Sequence, residues 1–469
     1  MLVVMKFGGT SVGSPAALQQ VVNIVSKAKH VGQQVVVVVS AMSGVTNLLL
    51  DAAHQAEAGS EAAAHQARSV IEQKHAEATL HFLGDTPTRQ QVMAQIDALL
   101  NEFESLCHGI HVLGELTPRA LDVIGGLGER MSAPQVAAIL NQAGLAAQPV
   151  ESTELIVTDD RYGSAVPLIE ATARKTEAGL RPLLNQGLVP VVTGFIGATE
   201  TGITTTLGRG GSDYSATILG RALKADEVWI WTDVNGVMTT DPRVVPEAHP
   251  ISRLSYAEIS ELSYFGAKVL HSQAIRPARR VGMPVRILNT FEPDHPGTLI
   301  TAEESDNGKS VKAVAAIKNM SLITVAGPGM IGIPGVAGRT FSAVARTETN
   351  VLMISQASSE QSICFVVPTP DVPRVIKSLE QEMIREIERR DLDPIQSENN
   401  VVVLAVVGSG MKGTPGVSAR LFGALGGEKI NVIAIAQGSS EFNISVVIAQ
   451  GDADNAMRAI HREFELEKP

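Results

Sequence analysis

A chain of 469 residues exceeds what one hydrophobic core normally serves, so two to four domains are expected. Its 38 basic and 49 acidic residues leave a net charge of −11 with no basic cluster to offset it, which disfavours broad nucleic-acid or anionic-membrane binding. Only Cys107 and Cys364 are present, far apart, so neither a disulfide framework nor a zinc site is expected and a reducing cytoplasm fits. The first residues lack a signal-peptide pattern, and the longest apolar run, VVVVV at 35–39, is far short of a membrane span.

In chain order, MLVVMKF reads as a buried strand, and ALQQVVNIVSKAKHVG as an amphipathic helix closing on Gly32. QVVVVVSAM is a second strand, apolar on both faces as a central strand of a helix-covered parallel sheet is. Residues 51–110, rich in Ala, Gln, Glu and His, predict two or three long helices that leave the sheet. Further strands are expected at 147–150, 188–193, 227–231 and 284–288. The repeated strand–turn–helix order predicts a three-layer α/β domain over residues 1–300.

A polar, acidic stretch follows, GTLITAEESDNGKSV at 297–311, and the linker is placed at 301–310. Beyond it the chain repeats itself. Segments 325–367 and 406–448 align without a gap at an offset of 81, with 20 of 43 positions identical. Chance does not supply that, so residues 311–469 read as a duplicated domain. Each copy reads strand, PG turn, helix, strand, short turn, strand, then a further helix (371–390 and 452–465). That unit lacks its last strand, and VKAVAAI at 311–317 is the available candidate to complete one module.

Several stretches carry potential chemistry. KFGGTS, residues 6–11, ends the first strand: it is either an ordinary tight turn or a backbone cradle for phosphate with Lys6 as its cation. It is not a GxxxxGK[ST] loop. LGRGGSDYSATILGRAL, 207–223, leads two glycines into a helix with Ser212 or Asp213 expected at the N-cap and Arg209 beside them. That arrangement aims free N–H groups and a two-pronged guanidinium at an anion. WTDVNGVMTTDPR, 231–243, gathers hydroxyls, Asp233, Asp241 and Arg243 after a parallel strand, where ligands sit in open α/β sheets. FGAKVLH sets Lys268 among apolar neighbours, SAMSGVTN offers Ser40, Ser43 and Thr46, and GLGERMS places Glu129 and Arg130 before a helix start. His271 shows no triad pattern, and no paired-carboxylate hydrolase pattern or metal-ligand cluster is present.

Taken together and in this order, KFGGTSV, SAMSGVTN, GER, TTTLGRGGSDYSA, IWTDVNGVMTTDPR and ELSYFGAKVLH resemble the aspartate kinases of the amino-acid kinase superfamily. The tandem repeat is similar to their regulatory ACT modules. The resemblance implies an amino-acid-kinase-type α/β sandwich followed by two tandem ACT-like βαββαβ modules. It implies transfer of the ATP γ-phosphoryl group to the β-carboxylate of L-aspartate with Mg²⁺, the first step toward threonine, methionine and lysine. By motif, Lys6 would neutralise the transferring group and Asp213 orient that lysine. Gly8 and Gly9 would admit the phosphates, while Thr232, Asp233, Arg243 and Lys268 would hold the nucleotide. Arg209 would bind an aspartate carboxylate, Glu129 its ammonium, and Thr46 and Ser212 would help hold the substrate. No protein metal-ligand set is assigned. Met238 stands where the family often has Tyr, and Ser272 where proline is frequent after VLH.

ISQASSE (354–360) and IAQGSSE (435–441) share Gln-x-Ser-Ser-Glu, resembling the threonine-responsive kinases fused to homoserine dehydrogenase. Gln356 and Gln437 are therefore the candidate effector ligands, with threonine favoured and lysine the alternative. A homodimer or homotetramer is expected, since ACT modules pair across chains. A non-catalytic amino-acid sensor of the same fold is the competing reading, and no GxGxxG stretch follows the repeat.

Overall fold

The computed structural model describes residues 1–265, 270–303, 309–331, 334–357, 359 and 361–468. The chain divides into two compact units. One comprises Met1–Val237, Pro250–Ser260 and Lys268–Glu304; the other comprises Met238–His249, Glu261–Ala267 and Ser305–Pro469.

The first unit opens with β1 (Leu2–Phe7), α1 (Pro15–His30) and β2 (Gln34–Val39). Every residue of β1 is buried, as the apolar run predicts for a strand covered on both faces. The helical excursion is α2 (Val45–Glu57), α3 (Ala62–Leu83) and α4 (Pro87–Leu113), and it leads into the long α5 (Pro118–Gln142). There follow β3 (Ala147–Val150), β4 (Val157–Thr158), α6 (Ile169–Asn185), β5 (Val189–Thr193), β6 (Ile196–Thr199) and β7 (Thr204–Thr206). Next come α7 (Gly211–Leu223), β8 (Glu227–Thr232), β9 (Arg253–Ser255) and the start of α8 (Tyr256–Tyr264), whose residues from Glu261 belong to the second unit. The first unit ends with α9 (Ser272–Val281), β10 (Val285–Asn289) and β11 (Thr298–Thr301).

Eight strands form one sheet in the order β3, β5, β2, β1, β8, β10, β11, β9, and β4, β6 and β7 form a second. In the large sheet only β10 and β11 run antiparallel. Registers pair Phe7 with Val39 and Trp231, Val39 with Thr193, and Asn289 with Thr232. The carboxyl ends of five strands therefore lie level, and the strand order changes direction about β1. Such a switch point leaves a crevice at the strand ends.

The second unit contains β12 (Ala313–Ala326), α10 (Val336–Ala345), β13 (Met353–Gln356), β14 (Ser362–Pro368), α11 (Val372–Glu382) and α12 (Ile384–Glu388). The second copy follows as β15 (Gln396–Val407), α13 (Val417–Gly427), β16 (Ala434–Gln437), β17 (Asn443–Ala449) and α14 (Ala453–Glu463). The single helix expected over 371–390 is two, broken at Met383. All six strands join one antiparallel sheet in the order β13, β14, β12, β15, β17, β16. β12 is continuous: Ala313–Ile317 pairs with Val407–Val403 of β15, and Met320–Ala326 pairs with β14. The TTDPR stretch folds with this unit. Val245 joins the apolar cluster of Leu421, Met457 and Ile460, and Thr239 Oγ1 lies 3.1 Å from His461 Nε2.

Candidate active site

β1 delivers Lys6 to the crevice. Its side chain is almost wholly buried, and Nζ meets Asp213 Oδ1 at 2.6 Å. Asp213 reaches this point from the first turn of α7, whose unpaired N–H groups favour negative charge. The expected cap is corrected by the structure. Gly210, at φ 71°, is the N-cap, and Ser212 and Asp213 lie inside the helix. A side chain cannot stand at Gly210, because its Cβ would fall 2.6 Å from Cβ of His271.

The KFGGTS loop is stitched to its neighbours. Gly8 N–H donates to the Trp231 carbonyl at 3.1 Å, and the Gly9 carbonyl accepts from Ser43 N–H at 3.1 Å. The Gly8 N–H is thus already engaged at the strand end. Among the described residues the N–H groups of Gly9 and Thr10 have no partner. A Cβ on Gly9 would stand 2.9 Å from the Ala41 carbonyl, so only glycine admits so close an approach.

Glu129, expected beside a helix start, sits in the middle of α5. Arg130 turns away from it and pairs with Glu151 at 3.1 Å and Glu102 at 3.3 Å. Glu129 is 4% exposed, and among the described residues its Oε2 has no hydrogen-bond partner. Burial pushes its pKa up to about 8, opposed by the Ala41 N–H and the charge of Lys6.

These groups share one cavity of about 770 Å³. Of the expected residues, Lys6, Gly9, Thr46, Glu129, Arg209, Ser212 and Asp213 line it. Thr232 ends β8 and donates to Asp233, which is exposed; neither lines that cavity. Arg243, belonging to the second unit, forks onto Asp241 at 3.0 and 2.7 Å, and that guanidinium holds the Asp241 carboxyl below its ordinary range. Lys268 lies outside the described residues. Gln356 and Gln437 end the edge strands β13 and β16 and are exposed.

Sequence reasoning missed Asp122 and Phe195, which also line the cavity. Asp122 precedes Glu129 by seven residues, two turns along one helix face. That spacing was the available signal, hidden because GGLG reads as a loop. Phe195 takes φ 70°, a strained conformation for an aromatic residue and of a kind that gathers at functional sites. Among the described residues no three His, Cys, Asp or Glu side chains group to hold a metal ion, and no described helix is long and apolar enough to cross a membrane.

Residues 1–289 match the amino acid kinase family, and residues 323–383 and 404–464 match the ACT domain. The chain is 33% identical to lysine-sensitive aspartokinase 3 of Escherichia coli over 98% of both proteins. The chain belongs to the aspartate kinase family. Among solved structures it superposes on E. coli aspartokinase III in complex with aspartate and ADP with a TM-score of 0.82, at 30% identity and 99% coverage of both chains. It is 38% identical over 99% of its length to the bifunctional aspartokinase/homoserine dehydrogenase 1 of Arabidopsis thaliana. The chain spans about half the length of that bifunctional relative.

Proposed function

We propose that this aspartate kinase family member transfers the γ-phosphoryl group of ATP to the β-carboxylate of L-aspartate, giving 4-phospho-L-aspartate and ADP. One observation carries the reading: a single cavity holds a buried carboxyl group with one oxygen unpartnered among the described residues, Glu129, together with a shielded cation, Lys6, and the exposed Arg209. A substrate ammonium pairs with the ionised Glu129, whose proton is released to solvent as the substrate binds. The two-pronged guanidinium of Arg209 suits the α-carboxylate, with hydroxyls from Thr46 and Ser212 beside it. The side-chain carboxylate is then left to face Lys6.

An aspartate side chain is already an anion at pH 7, so no general base is needed, and the obstacle is repulsion between two anions. One carboxylate oxygen bonds to the γ-phosphorus while the bond from that phosphorus to the β,γ-bridging oxygen breaks. The electron pair leaves with ADP. Lys6, held by Asp213, offsets the charge where the anions meet. The Gly9 and Thr10 N–H groups and the first turn of α7 supply fixed donors without the cost of reorientation. Magnesium would enter as a companion of the triphosphate and, when bound, would neutralise phosphate charge.

Threonine is the favoured effector on the Gln-x-Ser-Ser-Glu pattern at 356–360 and 437–441. Lysine is the second reading, supported by the lysine-sensitive relative. Exposed Ile354 and Ile435 on the edge strands support pairing of two chains through this sheet. A substrate panel of aspartate, glutamate and N-acetylglutamate with Mg²⁺·ATP tests the reading. Turnover with aspartate is expected; preference for either longer acid contradicts it.

A further inference from the structure

We infer that Asp122 is a positioning residue that sets the length of acidic amino acid the cavity accepts; the inference rests on the aspartate kinase reading above. Asp122 is 2% exposed and accepts from two separate segments. Gly163 N–H is 2.9 Å from each of its oxygens. Thr206 contributes its N–H at 2.9 Å and its hydroxyl at 2.6 Å. Both segments belong to the wall that carries Arg209. Thr206 ends β7, three residues before Arg209. The Gly163 carbonyl lies directly under Gly208, where a Cβ would stand 3.1 Å away.

The same helix is fastened at its other end. Two turns on, Glu129 accepts from Ala41 N–H, and Gly128 lies so close to Ala41 that an added Cβ would meet that of Ala41 at 2.5 Å. α5 thus works as a rigid bar. Glu129 marks the ammonium end of the cleft, and Asp122 pins the turn that presents the carboxylate-binding arginine. The span between these fastenings fixes where the β-carboxylate stands relative to Lys6. A substrate longer by one methylene then carries its reacting oxygen out of line.

A fitted pocket discriminates one methylene by about 10–200-fold, and a shift of about 1 Å in a reacting group costs roughly 100-fold. Asp122→Asn keeps the size of the side chain but turns an N–H toward donors it formerly accepted from. Thr206→Val removes one donor and preserves the strand, so the test survives if Asp122→Asn does not fold. KM and kcat are measured for aspartate, glutamate and ATP, with the melting temperature alongside.

Expected are a fall in kcat/KM for aspartate of about tenfold or more, a KM for ATP within about twofold, and an aspartate-to-glutamate preference narrowed about tenfold. A purely structural role instead lowers the melting temperature, or kcat for both acids alike, with the preference intact, and that outcome overturns the inference. An active wild-type chain with full preference retained in Thr206→Val and in folded Asp122→Asn overturns it alone. A wild-type chain inert toward aspartate overturns the underlying reading as well.

Discussion

Glu129 and Asp213 are both buried acids in one cavity, yet their circumstances are opposite. Asp213 is ion-paired with Lys6 at 2.6 Å, whereas burial raises the pKa of Glu129 to about 8, though each acid has one oxygen without a well-aligned hydrogen bond among the described residues. The proton held by Glu129 must leave before an ammonium is bound there. Aspartate kcat/KM should therefore rise with pH up to about 8, and Glu129→Gln should lower turnover and flatten that limb in the activity that remains. Stability runs the other way. The folded state retains a proton that the unfolded chain releases from about pH 4.5, so this residue's contribution declines as pH rises from there toward 8. Melting curves should show Glu129→Gln gaining stability relative to wild type at pH 8; an unchanged or lower midpoint contradicts the burial account. The residue types of this site were legible in KFGGTS, GRGGSD and GER. Their partnership was not, because the Lys6–Asp213 pair joins the first strand to the seventh helix.

At the scale of elements, α5 shows where a local reading fails. GGLGER looks like a loop, since each glycine costs a helix about 1 kcal/mol relative to alanine. Close contact is what the glycines provide. Cβ atoms on Gly126 and Gly128 would stand 2.6 Å from Ile196 Cγ2 and 2.5 Å from Ala41 Cβ. Gly128→Ala sets a propensity gain of about 1 kcal/mol against an overpacking cost of about 1–3 kcal/mol. Because Ala41 Cβ has no flexible end to move, the cost wins. The variant should melt lower and raise KM for aspartate about tenfold, since the Ala41 segment touches Glu129. A melting temperature above wild type with KM unchanged contradicts this close fit. The strands at 189–193 and 227–232 were legible because buried parallel strands read as apolar runs, whereas the edge strand at 147–150 is partly exposed. The break at Met383 was not, since the local composition remains helical.

At the scale of the whole molecule, duplication was the plainest signal, and the two copies build one six-stranded sheet. Sequence order concealed that residues 238–249 belong to the same unit. Their contacts, Val245 in the apolar cluster and Thr239 against His461, are long-range and leave no local trace. The effector is tested by titrating threonine and lysine separately. Threonine inhibition is expected, with Gln437→Ala raising the inhibitory concentration about 2–10-fold, the worth of one hydrogen bond of ~0.5–1.5 kcal/mol. Inhibition by lysine alone contradicts the threonine reading. The central claim concerns phosphoryl transfer at Lys6, and the most direct measurement is ATP-dependent aspartyl hydroxamate formation by wild type and Lys6→Ala. Loss of about 100–1,000-fold in kcat for a variant that still folds is predicted. Turnover by Lys6→Ala equal to that of wild type contradicts the account.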